Sequence, residues 1–372
     1  MKKILIIIIV FPLVLGSAFL LDRYNKNLTK ITPYPFEFTA PLLDKNIEFA
    51  PIVIIGDRLS KRLSSFIPEL TEKLSVKLSK AIKIKTFAQD GENIHRSLQK
   101  LKELSKMPLI IIYMGNNDES YERLYQFKDA GLVKRNFKLF DNDYAKTGML
   151  IAPFLSRFIY NPTSRVELGP QTKHFDKELS DARIQNMWSI NFRLYETAVN
   201  EMFNLGKRKG SIIIPITSPL NYRTLPKRSC YGAIDQDGSK DLKALQKLIK
   251  SGRYRDAEIL SKDLILLYPS HSAILHGHAQ VMLKTGKQKQ AIKYFKQAIA
   301  FDCGNKYGSP VYNSILKKYA DKYNITYFDF EEMINKNIAQ AGVFQDEVYP
   351  QDIYYQNLID ALADRIKNLL KL

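Results

Sequence analysis

Cysteine is scarce in this chain: only Cys230 and Cys303 occur in 372 residues. That excludes a disulfide-framework miniprotein. Histidine is nearly as rare. The five present show no metal-ligand spacing, and there is no glycine-rich phosphate loop, so the sequence calls for neither a metal nor another cofactor. Only one long apolar run occurs, which excludes a polytopic membrane protein, and 45% hydrophobic residues are too many for a disordered tail. Acidic residues are in deficit, 38 against 56 Lys and Arg, leaving a net charge of +18. Such an excess suits a polyanionic neighbour, whether nucleic acid, an acidic membrane surface or an acidic cell-envelope polymer, and says nothing about fold.

The apolar run discriminates among those neighbours. Lys2 and Lys3 precede an uncharged stretch from Ile4 to Leu21, broken only by Pro12 and Gly16-Ser17. A core helix would carry polar residues on one face, and this stretch has none. It reads as an export segment, either a signal peptide with a poor cleavage site at Gly16-Ser17-Ala18 or an uncleaved membrane anchor. No cysteine follows it, which excludes bacterial lipoprotein anchoring. The expected location is therefore the periplasm or cell envelope. Nucleic acid drops out as a partner, leaving an acidic envelope polymer, a glycan or a lipid surface.

Residues 22–50, polar and aromatic with Pro33, Pro35 and Pro41, read as a linker. Beyond them, short apolar runs alternate with amphipathic stretches. Strands are expected at Pro51–Ile55, Ile82–Phe87, Leu109–Met114, Ser211–Thr217 and Thr326–Phe328. Helices are expected at Leu59–Ala81, Ile94–Ser105, Ser180–Lys209, Val311–Tyr323 and Asp352–Leu370. This alternation predicts an α/β fold with a mostly parallel sheet covered on both faces, whose binding residues follow the strands.

Residues 238–302 interrupt the alternation, dividing the α/β domain into 51–237 and 303–372. Gly252-Arg253-Tyr254-x-x-Ala257 recurs 34 positions later as Gly286-Lys287-Gln288-x-x-Ala291, and Leu264 recurs as Ala298. A 34-residue period with glycine at the turn and a small residue at the helix crossing is the tetratricopeptide pattern; the alternative is two unrelated amphipathic hairpins. Such an insertion suits a protein partner. Residues 238–300 hold twelve Lys and Arg against four Asp and Glu, which marks either an anion-binding face or a solvated one. Cys230 and Cys303 stand at its two feet, placed for a disulfide, with two buried thiols as the alternative.

Four blocks follow strands or precede the last helix: Gly56-Asp57-Arg58-Leu59-Ser60, Gln89-Asp90-Gly91-Glu92-Asn93, Gly115-Asn116-Asn117-Asp118 and Asp346-Glu347-Val348-Tyr349-Pro350. Their order resembles the SGNH (GDSL-type) hydrolases, in particular a bacterial subgroup with inserted tetratricopeptide-like repeats, over roughly 50–235 and 303–372. The resemblance implies a three-layer α/β/α, flavodoxin-like sandwich that cleaves or transfers acyl esters. It makes Gly91 and Asn117 the oxyanion-hole donors and Asp346 the carboxylate that orients the base.

Two positions depart from the family pattern. Arg58 stands where the serine nucleophile belongs, and Tyr349 where the histidine base belongs. A guanidinium has no nucleophilic lone pair near neutral pH, and a phenol with a reference pKa near 10 is a poor base there. Ser60 is two residues past the nucleophile position and points elsewhere on a helix. His95, four residues after Gly91, is either a substitute base or a helix-start histidine. His174, His271, His276 and His278 have no usable partner spacing. The sequence thus describes a degenerate hydrolase site. Arg58, Gly91 and Asn117 either bind an anionic or acylated group, or Arg58 pairs with Asp346 or Asp57 and plugs the site. The competing expectation is an active envelope esterase or O-acyltransferase with a rearranged nucleophile and base.

Overall fold

In the computed structural model, the described residues are 13–23, 36–44, 48–120, 122, 124–152, 154, 166–168, 179–305, 307–340 and 342–370. Four strands form the main sheet: β1 Ile52–Gly56, β2 Ile84–Thr86, β3 Ile110–Met114 and β4 Ile212–Ile216, ordered β2-β1-β3-β4 and parallel throughout. β1 and β3 are buried on both faces, which is why each reads as a continuous apolar run. The sheet divides two cores. Ile52, Ile54, Ile110, Ile112, Met114, Ile214 and Ile216 pack on helices α1 Arg58–Ser64 and α2 Ile67–Leu78 and on the chain's last two helices. Ile55, Ile111, Tyr113 and Ile213 face the opposite layer, built on α3 Ile94–Glu103 and α4 Asp181–Lys209. The result is the expected three-layer α/β/α sandwich.

Two expectations about elements need correction. The single helix expected over Leu59–Ala81 is two helices, because the chain breaks at Ser65-Phe66 and restarts with Pro68 in its first turn, where the missing N–H costs nothing. Thr326–Phe328 gives only one parallel bridge, Phe328 to Ile216, since Asp329 at once caps the next helix by accepting from Glu332 N. The linker is not wholly irregular either: Phe36–Phe38 pairs in parallel with Val166–Leu168.

Between β4 and the final helices lies an insertion of four helices: α5 Gln236–Lys250, α6 Tyr254–Leu267, α7 Ser272–Lys284 and α8 Gln288–Phe301. Gly252 and Gly286 take the left-handed conformation at equivalent turns, and Ala257 and Ala291 are fully buried where helices cross. The chain then returns through α9 Pro310–Lys322, α10 Phe330–Asn335 and α11 Asp352–Leu370, with α9 joining the α3/α4 layer and α10 and α11 the α1/α2 layer. The insertion is docked on this body. Tyr222 stacks on Phe295 at 5.7 Å, Tyr222 Oη donates to Glu331 Oε1 at 2.7 Å, and Lys296 Nζ lies 2.8 Å from the same oxygen. At its feet Cys230 and Cys303 form a disulfide, with Cα atoms 5.8 Å apart.

Of the apolar run at 4–21, residues 4–12 lie outside the described residues; 13–23 are helical, with Leu13, Val14, Leu15, Phe19, Leu20 and Leu21 exposed. Among the described residues no helix is long and apolar enough to cross a membrane.

Candidate functional site

The sheet order puts β1 beside β3 with connections leaving in opposite directions, so their carboxyl ends flank a topological switch point where a crevice forms. Gly56 ends β1 at φ 131°, and a Cβ there would stand 2.0 Å from Met114 O. Only glycine allows this approach of the two strand ends. Ser60 Oγ lies 2.8 Å from Ile55 O and 2.7 Å from Met114 O, so its hydroxyl ties the strands together and is not presented as a nucleophile.

Asp57 organises the loop after β3. Fully buried, it accepts from Leu59 N at 2.9 Å, capping α1, and from Asn116 N and Asn117 N at 3.1 and 2.6 Å. Burial, reinforced by the neighbouring Asp118 carboxylate, pushes its pKa up to about 7 against those N–H donors. Asn116 sits at φ 147° and reaches the start of α9, its amide donating to Ser309 O and Asn313 Oδ1 and accepting from Ser309 N. The loop carrying Asn117 and Asp118 is thus held from both sides.

Arg58 is paired, but with Asp118 and not with Asp346 or Asp57. Arg58 Nε donates to Asp118 Oδ2 at 3.0 Å and Nη2 lies 2.6 Å from Oδ1, a bidentate fork. Gly91 N, expected as an oxyanion donor, gives its proton to the same Oδ2 at 2.9 Å. The Arg58 side chain is 21% exposed and that of Asp118 1%. The expected anion subsite of Arg58 and Gly91 is therefore filled by the protein's own carboxylate. Buried pairs beneath fix the arrangement: Lys100 Nζ on Glu92 at 2.5 Å, and Arg96 Nε on Glu122 at 2.8 Å.

The Asn117 side chain takes no part in this fork. Its Nδ2 is buried without a hydrogen-bond partner, and the residue lines a cavity of about 30 Å³ with Leu220, Asn221, Tyr307 and Glu347, room for a water or two. Tyr307 closes the mouth between two cations, Arg58 Cζ at 5.4 Å and Lys227 Nζ at 5.7 Å from its ring centre, and Lys227 pairs with Glu347 at 2.9 Å.

Asp346 does not orient a base. Its Oδ1 accepts from Val348 N and Tyr349 N, both at 2.7 Å, so the carboxylate shapes its own loop. Tyr349 is half-buried, and burial holds its phenol above the ordinary tyrosine pKa, which makes it a still poorer base. His95 faces away from the crevice, into a cavity between α3 and α4; burial first, then Lys102, lowers its pKa to about 3. His276 Nε2 meets Tyr222 O at 3.1 Å, between the insertion and the body, and His278 Nδ1 meets Ser261 Oγ at 2.8 Å within the insertion. His174 lies outside the described residues. Among the described residues no cluster of His, Cys, Asp and Glu could hold a metal ion.

Sequence reasoning missed Asp118 as the pivot of the site. Its signal was present: a buried arginine next to a glycine loop demands a carboxylate, and Asp118 closes the Gly115-Asn116-Asn117-Asp118 block.

No protein-family model matches this chain, and no curated protein matches it. Among solved structures, it is similar to the crystal structure of "a putative acylhydrolase" from Bacteroides fragilis, at 14% identity over 93% of this chain and 97% of that one, with a TM-score of 0.31.

Proposed function

We propose that this chain is an exported, catalytically disarmed relative of the SGNH hydrolases that binds an acidic envelope polymer through a tetratricopeptide-like insertion. The observation that carries the loss of turnover is the Arg58–Asp118 fork, which occupies the nucleophile position and takes up the Gly91 N–H together. Acyl transfer needs a hydroxyl or thiol with a base beside it, and among the described residues no such pair is found beside Arg58.

The binding half of the reading rests on α5. Lys240, Lys243, Lys247 and Lys250 are all exposed and spaced i, i+3, i+7, i+10, which sets them within about 80° of one another around the axis and along about 15 Å of it. Lys240 pairs with Asp237, whereas Lys243, Lys247 and Lys250 have no ion-pair partner among the described residues. Like charges at helical spacing cost roughly 0.2–0.5 kcal/mol per pair, a cost that a polyanion laid along the stripe would offset. The exposed apolar helix at 13–23 supports retention at the envelope by an export segment or anchor.

The test uses the purified full chain with a short acyl ester and with polygalacturonate as a linear polycarboxylate. No hydrolysis, together with polymer binding that Lys243→Gln/Lys247→Gln/Lys250→Gln weakens at least tenfold and Arg58→Ala leaves intact, is expected. Ester hydrolysis that disappears on Asn117→Ala would instead establish an enzyme with a rearranged site. Retention of a protein partner, lost on deleting 238–302, with polymer ignored, would establish a protein-binding scaffold.

A further inference from the structure

A second pocket lies outside the crevice. It is a cavity of about 560 Å³ between α3 and α4, roofed by residues 38–41. That size is within the range of small-molecule sites, about 300–1,000 Å³. The roof is fastened, since Glu103 Oε2 accepts from Leu42 N and Leu43 N at 2.8 and 3.0 Å. Leu98, Leu194 and Ala198 give it an apolar floor. Into the same space face Lys102 and Glu201, whose Nζ and Oε1 are 2.6 Å apart, with side chains 33% and 8% exposed.

We propose that this cavity binds a zwitterionic small molecule with an apolar body, of the size of a short apolar peptide, whose ammonium takes Glu201 and whose carboxylate takes Lys102. The choice follows from charge balance. A simple anion entering here would take Lys102 and leave Glu201, 8% exposed, uncompensated, which costs several kcal/mol, and a simple cation on Glu201 would sit beside Lys102 as a like charge. A zwitterion replaces both halves of the pair at once. His95 adds no charge, because burial keeps its imidazole neutral, and serves as a hydrogen-bonding wall. This inference stands apart from the polymer-binding reading and shares no residue with it.

The test is calorimetric titration of the full chain with leucyl-leucine, its N-acetyl and C-terminal amide forms, and octanoate. Leucyl-leucine should bind, and each blocked form should bind at least tenfold more weakly. Glu201→Gln and Lys102→Met should each weaken leucyl-leucine at least tenfold, and Tyr144→Ala, at a side chain 91% exposed, should not change it. Because Glu201 is buried, Ala40→Trp on the exposed roof provides a second variant that blocks the mouth without touching the core, and it too should abolish binding. No heat with leucyl-leucine at millimolar concentration, equal binding of the blocked forms, or preference for octanoate would each overturn the proposal.

Discussion

Asp118 holds Arg58 and Gly91 together: its Oδ2 accepts from Arg58 Nε at 3.0 Å and from Gly91 N at 2.9 Å, while Oδ1 takes Arg58 Nη2 at 2.6 Å. One carboxylate thereby neutralises Arg58 and takes up the Gly91 N–H.

This relationship predicts the outcome of breaking it. Asp118→Asn leaves a guanidinium largely buried without its counter-charge, and destabilisation of about 2–4 kcal/mol is expected, at the lower end because Arg58 keeps some contact with water. Arg58→Met/Asp118→Leu should recover the charge part of that loss but not all of it, since the Gly91 N–H also loses its acceptor. Urea unfolding of the two single variants and the double variant measures the coupling. Additive losses would show that the fork is not a unit.

Asp57 sets a pH dependence of opposite sign to that of an ordinary paired carboxylate. Its folded pKa, about 7, lies above the unfolded value near 3.9, so the native state binds the extra proton between them. The contribution is fully present below about pH 4, declines as pH rises towards 7, and is gone above it, at no more than about 1.4 kcal/mol per pH unit. Because Asp57 and Asp118 interact, the apparent midpoint belongs to the pair. Stability measured from pH 4 to 8 should fall along this window, and Asp57→Asn should flatten the slope while lowering overall stability by losing N–H acceptors.

Gly56→Ala should be among the most damaging substitutions to the sheet. The added Cβ would stand 2.0 Å from Met114 O at a φ of 131°, so strain and overpacking combine to more than about 3 kcal/mol. Gly148→Ala in the helix Asp143–Ile151 is the control: its Cβ meets nothing within 4 Å, and a gain of about 0.5–1 kcal/mol is expected from helix propensity. Thermal unfolding of both variants separates the two cases.

The sandwich was legible because its central strands, Ile-Val-Ile-Ile-Gly and Ile-Ile-Ile-Tyr-Met, are buried on both faces and cannot be mistaken for surface segments. The helix break at Ser65-Phe66 was not, because Pro68 is as compatible with a first turn as with a kink, and only the tertiary path selects between them. At the site, strand-end position identified Arg58, Gly91 and Asn117, while pairing across 60 residues of chain could not be read from spacing. Arg58 has Asp57, Asp90, Asp118 and Asp346 as nearby candidates by motif, and only the geometry of the β3 loop selects Asp118. Asp346 failed for a local reason: an aspartate two and three residues before free N–H groups satisfies them first.

The Cys230–Cys303 bridge joins residues 73 apart and spans the insertion. In the chain-entropy model a loop of this size contributes about 4 kcal/mol through the unfolded state. Reduction, or Cys230→Ala/Cys303→Ala, should lower the unfolding free energy by that order. The docking contacts Tyr222–Phe295 and Lys296–Glu331 should keep the insertion attached in the native state. Limited proteolysis at native temperature checks the second part, since release of the insertion on reduction alone would show that the disulfide, and not the docked face, holds it.

The lysine stripe on α5 predicts how polymer binding responds to salt. Each cation that neutralises a polymer charge releases a counterion, so binding weakens log-linearly with salt, with a slope of roughly 0.7–0.9 per contact on nucleic acids and of similar origin on any linear polyanion. Replacing Lys243, Lys247 and Lys250 by Gln removes three such contacts, and the slope for polygalacturonate should drop by about two to three units. Lys240, already paired with Asp237, should contribute less, so Lys240→Gln alone is expected to shift the slope by under half a unit. If the triple variant lowers affinity at every salt concentration equally, the lysines act through local structure. If it loses phosphatidylglycerol vesicles and never bound polymer, the acidic partner of this face is a lipid surface.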